Sequence, residues 1–238
     1  MPLCLCASVS SVSNAASHRL SNLEDHDLIR AGMTPHPDEC TDTRLSAMGY
    51  GPEAIERVHA LAGGPLQLTG DVGRLLDNFA YEHDWAQDYQ IRSARASLLL
   101  PRIMCVNAAI LAYALLEAFP HVQRRLIALH RRGPDGVECG HVVTAYWNPG
   151  GRIGAFSKSN YAALAHRPQT FVSLDAIALS YAKGYVSMGF TPLYYGFPQL
   201  DDMGADWRLS DAPLTALLER FTEAYEYAFD LEPAKGKT

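Results

Sequence analysis

At 238 residues with 48% hydrophobic content, the chain can bury a proper core as one domain with a helical extension, or at most as two small domains. Its formal charge of -6, with basic residues scattered apart from Arg124, Arg125, His130, Arg131 and Arg132, argues against nucleic acid as the main partner. No apolar run reaches the roughly 18 residues a bilayer span requires; the longest candidate, residues 108–119, contains Glu117, so no membrane association is expected.

Cys4, Cys6, Cys40, Cys105 and Cys139 are an odd set in a chain of this size, which speaks against a disulfide framework and for a reducing, cytoplasmic compartment. The N-terminal stretch MPLCLCASVSSVSNAASHRL has no Lys or Arg ahead of a very short apolar segment, so it does not read as a signal peptide. Its Ser/Ala bias predicts a disordered leader over residues 1–43, with Met33 or Met48 as alternative translation starts. Residues 44–238 are then a single domain.

A helical prelude is expected over residues 50–100. Gly51-Pro52-Glu53 starts a helix whose Ile55, Val58, Leu61 and Ala62 keep helical spacing until Gly63-Gly64. A second helix begins near Asp71, with Val72, Leu75, Leu76 and Phe79 on one side. The stretch YEHDWAQDYQIRSARASLLLPRIM reads as a linker with one helix around residues 93–99. The Cys/His core follows over residues 101–197. Cys105, Ala108, Ala109, Ala112, Leu115, Leu116 and Phe119 fall at three- and four-residue steps, which predicts a central buried helix.

Beyond that helix, residues 124–130 read as a strand, Gly133-Pro134-Asp135-Gly136 as a turn, residues 141–147 as a strand, and Asn148-Pro149-Gly150-Gly151 as a hairpin turn into residues 152–157. A helix followed by a three-stranded antiparallel meander defines an α+β domain. A loop with His166, Arg167 and Pro168, a helix over residues 173–185, a Gly/Pro/Tyr-rich segment to Phe197 and a C-terminal helix over residues 213–230 complete the chain.

Cys105 at the predicted start of its helix is where unpaired N–H groups and the helix dipole favour a thiolate. His141, on a neighbouring strand, is of the residue type that takes a thiol proton and returns it to a leaving group. A plain reading stands beside this: free cysteine is commonly buried as a small apolar residue, and a lone strand histidine is commonly just hydrogen-bonded. Cys139, His141, Cys105 and Glu138 or Asp135 could form a metal site, but structural zinc draws on two separated ligand pairs that are missing, so no metal is expected. Cys139 and His141, two residues apart on a strand, share a face, which leaves a Cys105–Cys139 redox link conceivable. No nucleotide or flavin is called for, so no cofactor is expected.

Other candidates have equally ordinary alternatives. Ser157, Lys158, Ser159 and Asn160 can line a site or form a turn. Tyr146, Trp147 and Tyr161 can wall an acyl pocket or pack a sheet face, and Arg152, Lys158 and Arg167 can receive an acidic substrate or remain solvated. Tyr181, Tyr185, Tyr194, Tyr195 and Phe197 are a binding surface or a satellite core. Glu219, Glu223 and Glu226 read as a solvated face.

Three pieces of wording, C-x-x-A-A-x-x-A-x-x-L from Cys105, G-H-V-V from Gly140 and R-I-G-A-F-S-K-S-N-Y from Arg152, resemble the transglutaminase-like group of papain-type cysteine enzymes. RPQTFVSLDAIALSYAKGY is similar to the helix after those strands in a bacterial subfamily of the group. The resemblance spans residues 80–197. It implies a papain-type core, acyl transfer through a Cys105 thioester, His141 as base then acid, and N–H groups at the helix start as part of an oxyanion hole. The substrate is then a small-molecule or peptide acyl compound, and water or an amine resolves the thioester. The family's aspartate after the histidine strand is missing from GAFSKSN, so Asn160 or Ser157 has to orient His141. The cost of a wrong orienter in a serine triad is about 10⁴ in turnover, which leaves a catalytically inactive binding module as the alternative.

Overall fold

The computed structural model describes residues 40–82 and 90–231. The prelude begins with α1 (Thr41–Ala47) and α2 (Pro52–Ala62), the latter with Pro at its first turn and Gly63 in the left-handed region at its end. α3 (Thr69–Asp77) is started by Asp71, whose Oδ2 accepts from the N–H groups of Gln67 and Leu68 at 2.7 and 2.9 Å. Two short strands, β1 (Ala80–Tyr81) and β2 (Arg102–Ile103), pair in parallel on either side of α4 (Ala94–Leu98). Ser93 caps α4 by accepting from Ala96 N–H.

The central helix, α5 (Cys105–Leu115), is buried at every residue. β3 (Gln123–Arg132), β4 (Glu138–Trp147) and β5 (Ile153–Phe156) then form the antiparallel meander. β6 (Arg167–Phe171), α6 (Leu174–Ser187), β7 (Thr191–Gly196), α7 (Asp206–Leu209), α8 (Thr215–Glu223) and β8 (Tyr227–Ala228) follow. The main sheet has the order β6-β5-β4-β3-β7-β8, antiparallel throughout. The domain is a mixed α+β fold.

Strand alternation divides the core in two. Leu126, Ala128, Val142 and Tyr146 face α5 and the helical prelude, whereas Ile127, Leu129, Val143 and Ala145 face Ile177, Ala178, Tyr181 and Tyr185 of α6. The sheet is thus a wall with helices on both sides.

Several boundaries differ from the sequence reading. α1 starts at Thr41, inside the stretch assigned to the leader, because it buries Leu45; the leader's first 39 residues lie outside the described ones. β4 starts at Glu138, so His141 is its fourth residue rather than its first. β6 forms where a loop was expected, and Pro168 is tolerated there because β6 is an edge strand. The Gly/Pro/Tyr-rich segment supplies β7, with a register shift at His130/Arg131 beside Pro192. The C-terminal helix ends at Glu223, and the chain turns back so that Tyr227 pairs with Tyr195.

That return requires Gly196. A Cβ there would overlap the Ala224 carbonyl oxygen, so the strand and the returning chain meet backbone to backbone. Gly196→Ala is expected to lower unfolding stability by roughly 1–3 kcal/mol. Gly70→Ala, on an exposed helical position with open space around it, should raise stability by about 0.5–1 kcal/mol. Urea denaturation of the two variants checks both signs; a neutral Gly196→Ala would mean that the returning chain does not hold its place against β7.

Candidate functional site

Cys105 is the first residue of α5 and is 3% exposed. Extended Met104 precedes it without a side-chain cap, so the first-turn N–H groups are not occupied by a capping side chain at that position. Ala108 N–H closes the first helical bond onto Met104 O at 3.0 Å. Two buried side-chain bonds fix the helix: Asn107 Nδ2 donates to Ser97 Oγ at 3.0 Å, and Thr144 Oγ1 donates to Ala109 O at 2.7 Å. The latter ties α5 to the face of β4 that carries Val142 and Thr144.

His141 is on the other face of β4, with Val143 and Ala145, and its ring centroid lies 6.0 Å from that of Tyr181 on α6. The axis of α5 and the imidazole are therefore separated by the strand. Nε2 of His141 is 2.9 Å from Ser157 Oγ. A hydroxyl has one proton, and that of Ser157 goes to the Leu164 carbonyl at 2.6 Å. Ser157 therefore accepts from His141 Nε2–H, which leaves the lone pair on Nδ1. Burial, and after it the nearby guanidinium groups of Arg131 and Arg167, push the His141 pKa down to about 3. The imidazole is neutral at physiological pH.

Ser157 is held from a second side. Its N–H donates to Nδ1 of His166 at 2.8 Å, and Nε2 of His166 lies 3.2 Å from Asp77 Oδ1. Arg167 braces the same region: its guanidinium lies 4.1 Å from the centre of the Tyr181 ring and donates to Ser180 Oγ, Ala165 O and Ala163 O. Tyr181 and Tyr185 are one helical turn apart on α6. The first stands against His141; the second has the Arg131 guanidinium 5.3 Å from its ring centre and a phenol pKa raised chiefly by burial.

Of the two candidate orienters, Ser157 bonds to His141, while Asn160 is exposed beyond the end of β5. Tyr146 stacks on Phe156 at 4.2 Å on the α5 side and so is not on the His141 face; Tyr161 packs edge-on to Phe190. Lys158 is buried and its Nζ donates to Asp77 O at the end of α3, with its pKa lowered by burial. Arg152 is exposed. Cys139 is buried on the His141 face. Among the described residues no three His, Cys, Asp or Glu side chains come together as a metal site. The sequence reading placed His166 in a loop without a role and did not single out Leu164, because only the fold of the β5–β6 connection brings them to Ser157.

No family model matches the chain, and no curated protein matches it. Its structure is similar to that of Legionella pneumophila LapG, with a TM-score of 0.36 and 15% identity over 79% of this chain and 95% of that one. The EGTA-treated form of Legionella pneumophila LapG gives 0.36 and 15% over 77% and 98%. At this level the likeness carries no weight for chemistry.

Two outcomes follow from the buried neutral imidazole. An unfolded histidine gains a proton below its ordinary value of 6.5, whereas folded His141 does not until about pH 3. Its contribution to stability is therefore complete above pH 6.5 and is lost as the pH falls through that window. The slope approaches about 1.4 kcal/mol per pH unit. Urea midpoints at pH 7, 6 and 5 should fall more steeply for the native protein than for His141→Gln; parallel curves would mean that the imidazole protonates within the fold. Ser157→Ala leaves His141 Nε2–H and the Leu164 carbonyl without this partner. It should cost roughly 1–3 kcal/mol and release the tautomer, visible as a change in the His141 ring ¹⁵N shifts.

Proposed function

We propose that the chain is a cysteine-dependent acyl-transfer protein with a transglutaminase-like, papain-type core. The thiol of Cys105 adds to an amide or ester carbonyl, its proton passes to Nδ1 of His141, and collapse expels the leaving group, which takes that proton back as the thioester forms. Water or an amine then resolves the thioester. The observation that supports this reading best is the proton arrangement at Ser157: it fixes His141 in the tautomer whose free lone pair is on Nδ1. Ser157, rather than Asn160, is the positioning residue.

The expected substrate is a small-molecule or peptide acyl compound, and the expected compartment is cytoplasmic, where a reducing setting keeps Cys105 a thiol. Cys105 and Cys139 are buried and Cys40 is exposed. No helix among the described residues is long and apolar enough to cross a membrane.

A second reading, a catalytically inactive binding module, is favoured by one set of observations. Cys105 is buried, α5 lies across the strand from the imidazole, and the His141 pKa is held down to about 3, which makes it a weak base. Acylation by p-nitrophenyl acetate separates the two. The acyl-transfer reading expects one equivalent of nitrophenol per chain and an acetylated Cys105 peptide. The rate should be level between pH 5 and 8, because the base is already neutral there, and His141→Gln should be slower by about 10²-fold or more. Folded protein that leaves Cys105 unacetylated at pH 8 establishes the binding module instead.

A further inference from the structure

Ser157 is gripped by two residues of one short connection. Between β5 and β6, the Leu164 carbonyl takes the Ser157 hydroxyl proton at 2.6 Å, and Nδ1 of His166 takes the Ser157 N–H at 2.8 Å. The connection is itself fixed to its surroundings. Arg167 donates to Ala163 O at 2.7 Å and to Ala165 O at 2.9 Å, and the Tyr181 hydroxyl donates to Ala165 O at 3.2 Å. Two fixed acceptors therefore consume both protons that Ser157 has to offer. What remains of the serine is an oxygen lone pair, and His141 Nε2 lies 2.9 Å from that oxygen.

The His166 ring is held as closely as the serine it meets. Accepting at Nδ1 means that this nitrogen carries no proton, so the imidazole is neutral with its proton on Nε2, 3.2 Å from Asp77 Oδ1 at the end of α3. The Phe156 ring meets it edge-on, with the centroids 5.6 Å apart. Gly73 of α3 lets both rings lie against the helix: a Cβ there would come within 3.0 Å of the Phe156 ring and 3.9 Å of the His166 ring. Lys158, the neighbour of Ser157, donates to Asp77 O at 3.2 Å. The end of α3 is thereby joined to the end of β5 through both Lys158 and His166.

We propose that His166 is a second positioning residue, which sets the His141 tautomer by acting through Ser157. Loss of its acceptor leaves the N–H of a buried serine without a partner, and the Ser157 peptide has to turn to find one. Oγ turns with the peptide, its proton leaves the Leu164 carbonyl, and nothing then holds the imidazole proton of His141 on Nε2. A proton on Nδ1 instead takes away the lone pair that receives the thiol proton in the acyl-transfer reading above. The tautomer control stands on the hydrogen bonds alone; its consequence for chemistry rests on that reading and deepens it.

The ring ¹⁵N shifts of His141, assigned by their loss in His141→Gln, read the tautomer without any need for activity. In the native protein they should be those of a single Nε2–H form. His166→Leu fills the space without an acceptor; it should bring the two shifts toward one another and slow acetylation of Cys105 by p-nitrophenyl acetate about 10–10²-fold. His166→Asn, whose Oδ1 falls where Nδ1 stood, should return the native shifts. Native shifts in His166→Leu would show that Ser157 needs no second acceptor. Shifts as disturbed in His166→Asn as in His166→Leu would show that the packing of the ring matters and its acceptor does not; either result overturns the proposal. If the shifts respond as expected while native Cys105 stays unacetylated, the acyl-transfer reading falls and the tautomer control stands. Should the variants not fold, the native protein decides: a nitrogen–nitrogen coupling across the Ser157 N–H to His166 Nδ1 bond, alongside Nε2–H shifts at His141, supports the assignment, and absence of the coupling overturns it.

Discussion

The whole arrangement depends on a helix with no polar side. Every residue of α5, from Cys105 to Leu115, is buried, so it must be covered on all sides. The sheet face of Leu126, Ala128, Val142 and Tyr146 covers one side, and the prelude helices with Trp207, Leu217 and Phe221 cover the rest. The alanines at 108, 109 and 112 let the strands approach closely enough for Thr144 to reach a helix carbonyl at 2.7 Å. A substitution that enlarged those positions would push apart both layers, and Cys105 would move with them.

The opposite face of the sheet has a different character. There a histidine, a serine, two guanidinium groups and two tyrosines are packed among apolar side chains, and the cost of burying His141, Ser157, Arg167 and Tyr181 is offset by specific bonds. Ser157 is the hinge of that network: its hydroxyl accepts from His141 and donates to Leu164, and its N–H donates to His166. A carboxylate in place of Ser157 would raise the imidazole pKa by attraction. The serine supplies orientation without charge, so burial and the arginines win, and the imidazole stays neutral.

The sequence made the α5 helix and the meander legible because their signals are local: three- and four-residue steps from Cys105, and the turn residues at 133–136 and 148–151 that separate the strands; α6 is held at its start by Ser173, whose Oγ accepts from Ala176 N–H. It hid β6, β7 and β8 because their pairing is non-local; Pro168 and Pro192 read as breakers until an edge position and a register shift accommodate them. The same holds for the site. Cys105 at a helix start and a polar residue after the next strand were readable as types, but the choice of Ser157 over Asn160 depends on which residue shares the His141 face in the folded sheet. Parity along β4 and β5 decides it: Thr144 stands opposite Phe156 on the α5 side, so the next position on each strand turns to α6.

That parity also locates where chemistry can occur. α5, which begins at Cys105, packs on one face of the sheet and the His141 imidazole lies on the other, so the two candidate residues belong to different layers. On the α6 side the imidazole is met by Tyr181, whose ring centroid lies 6.0 Å away. The surroundings of the imidazole are therefore set by how α6 packs on β3 and β5, and those of Cys105 by the layer that covers α5, so a substitution in one layer acts on one candidate residue before the other.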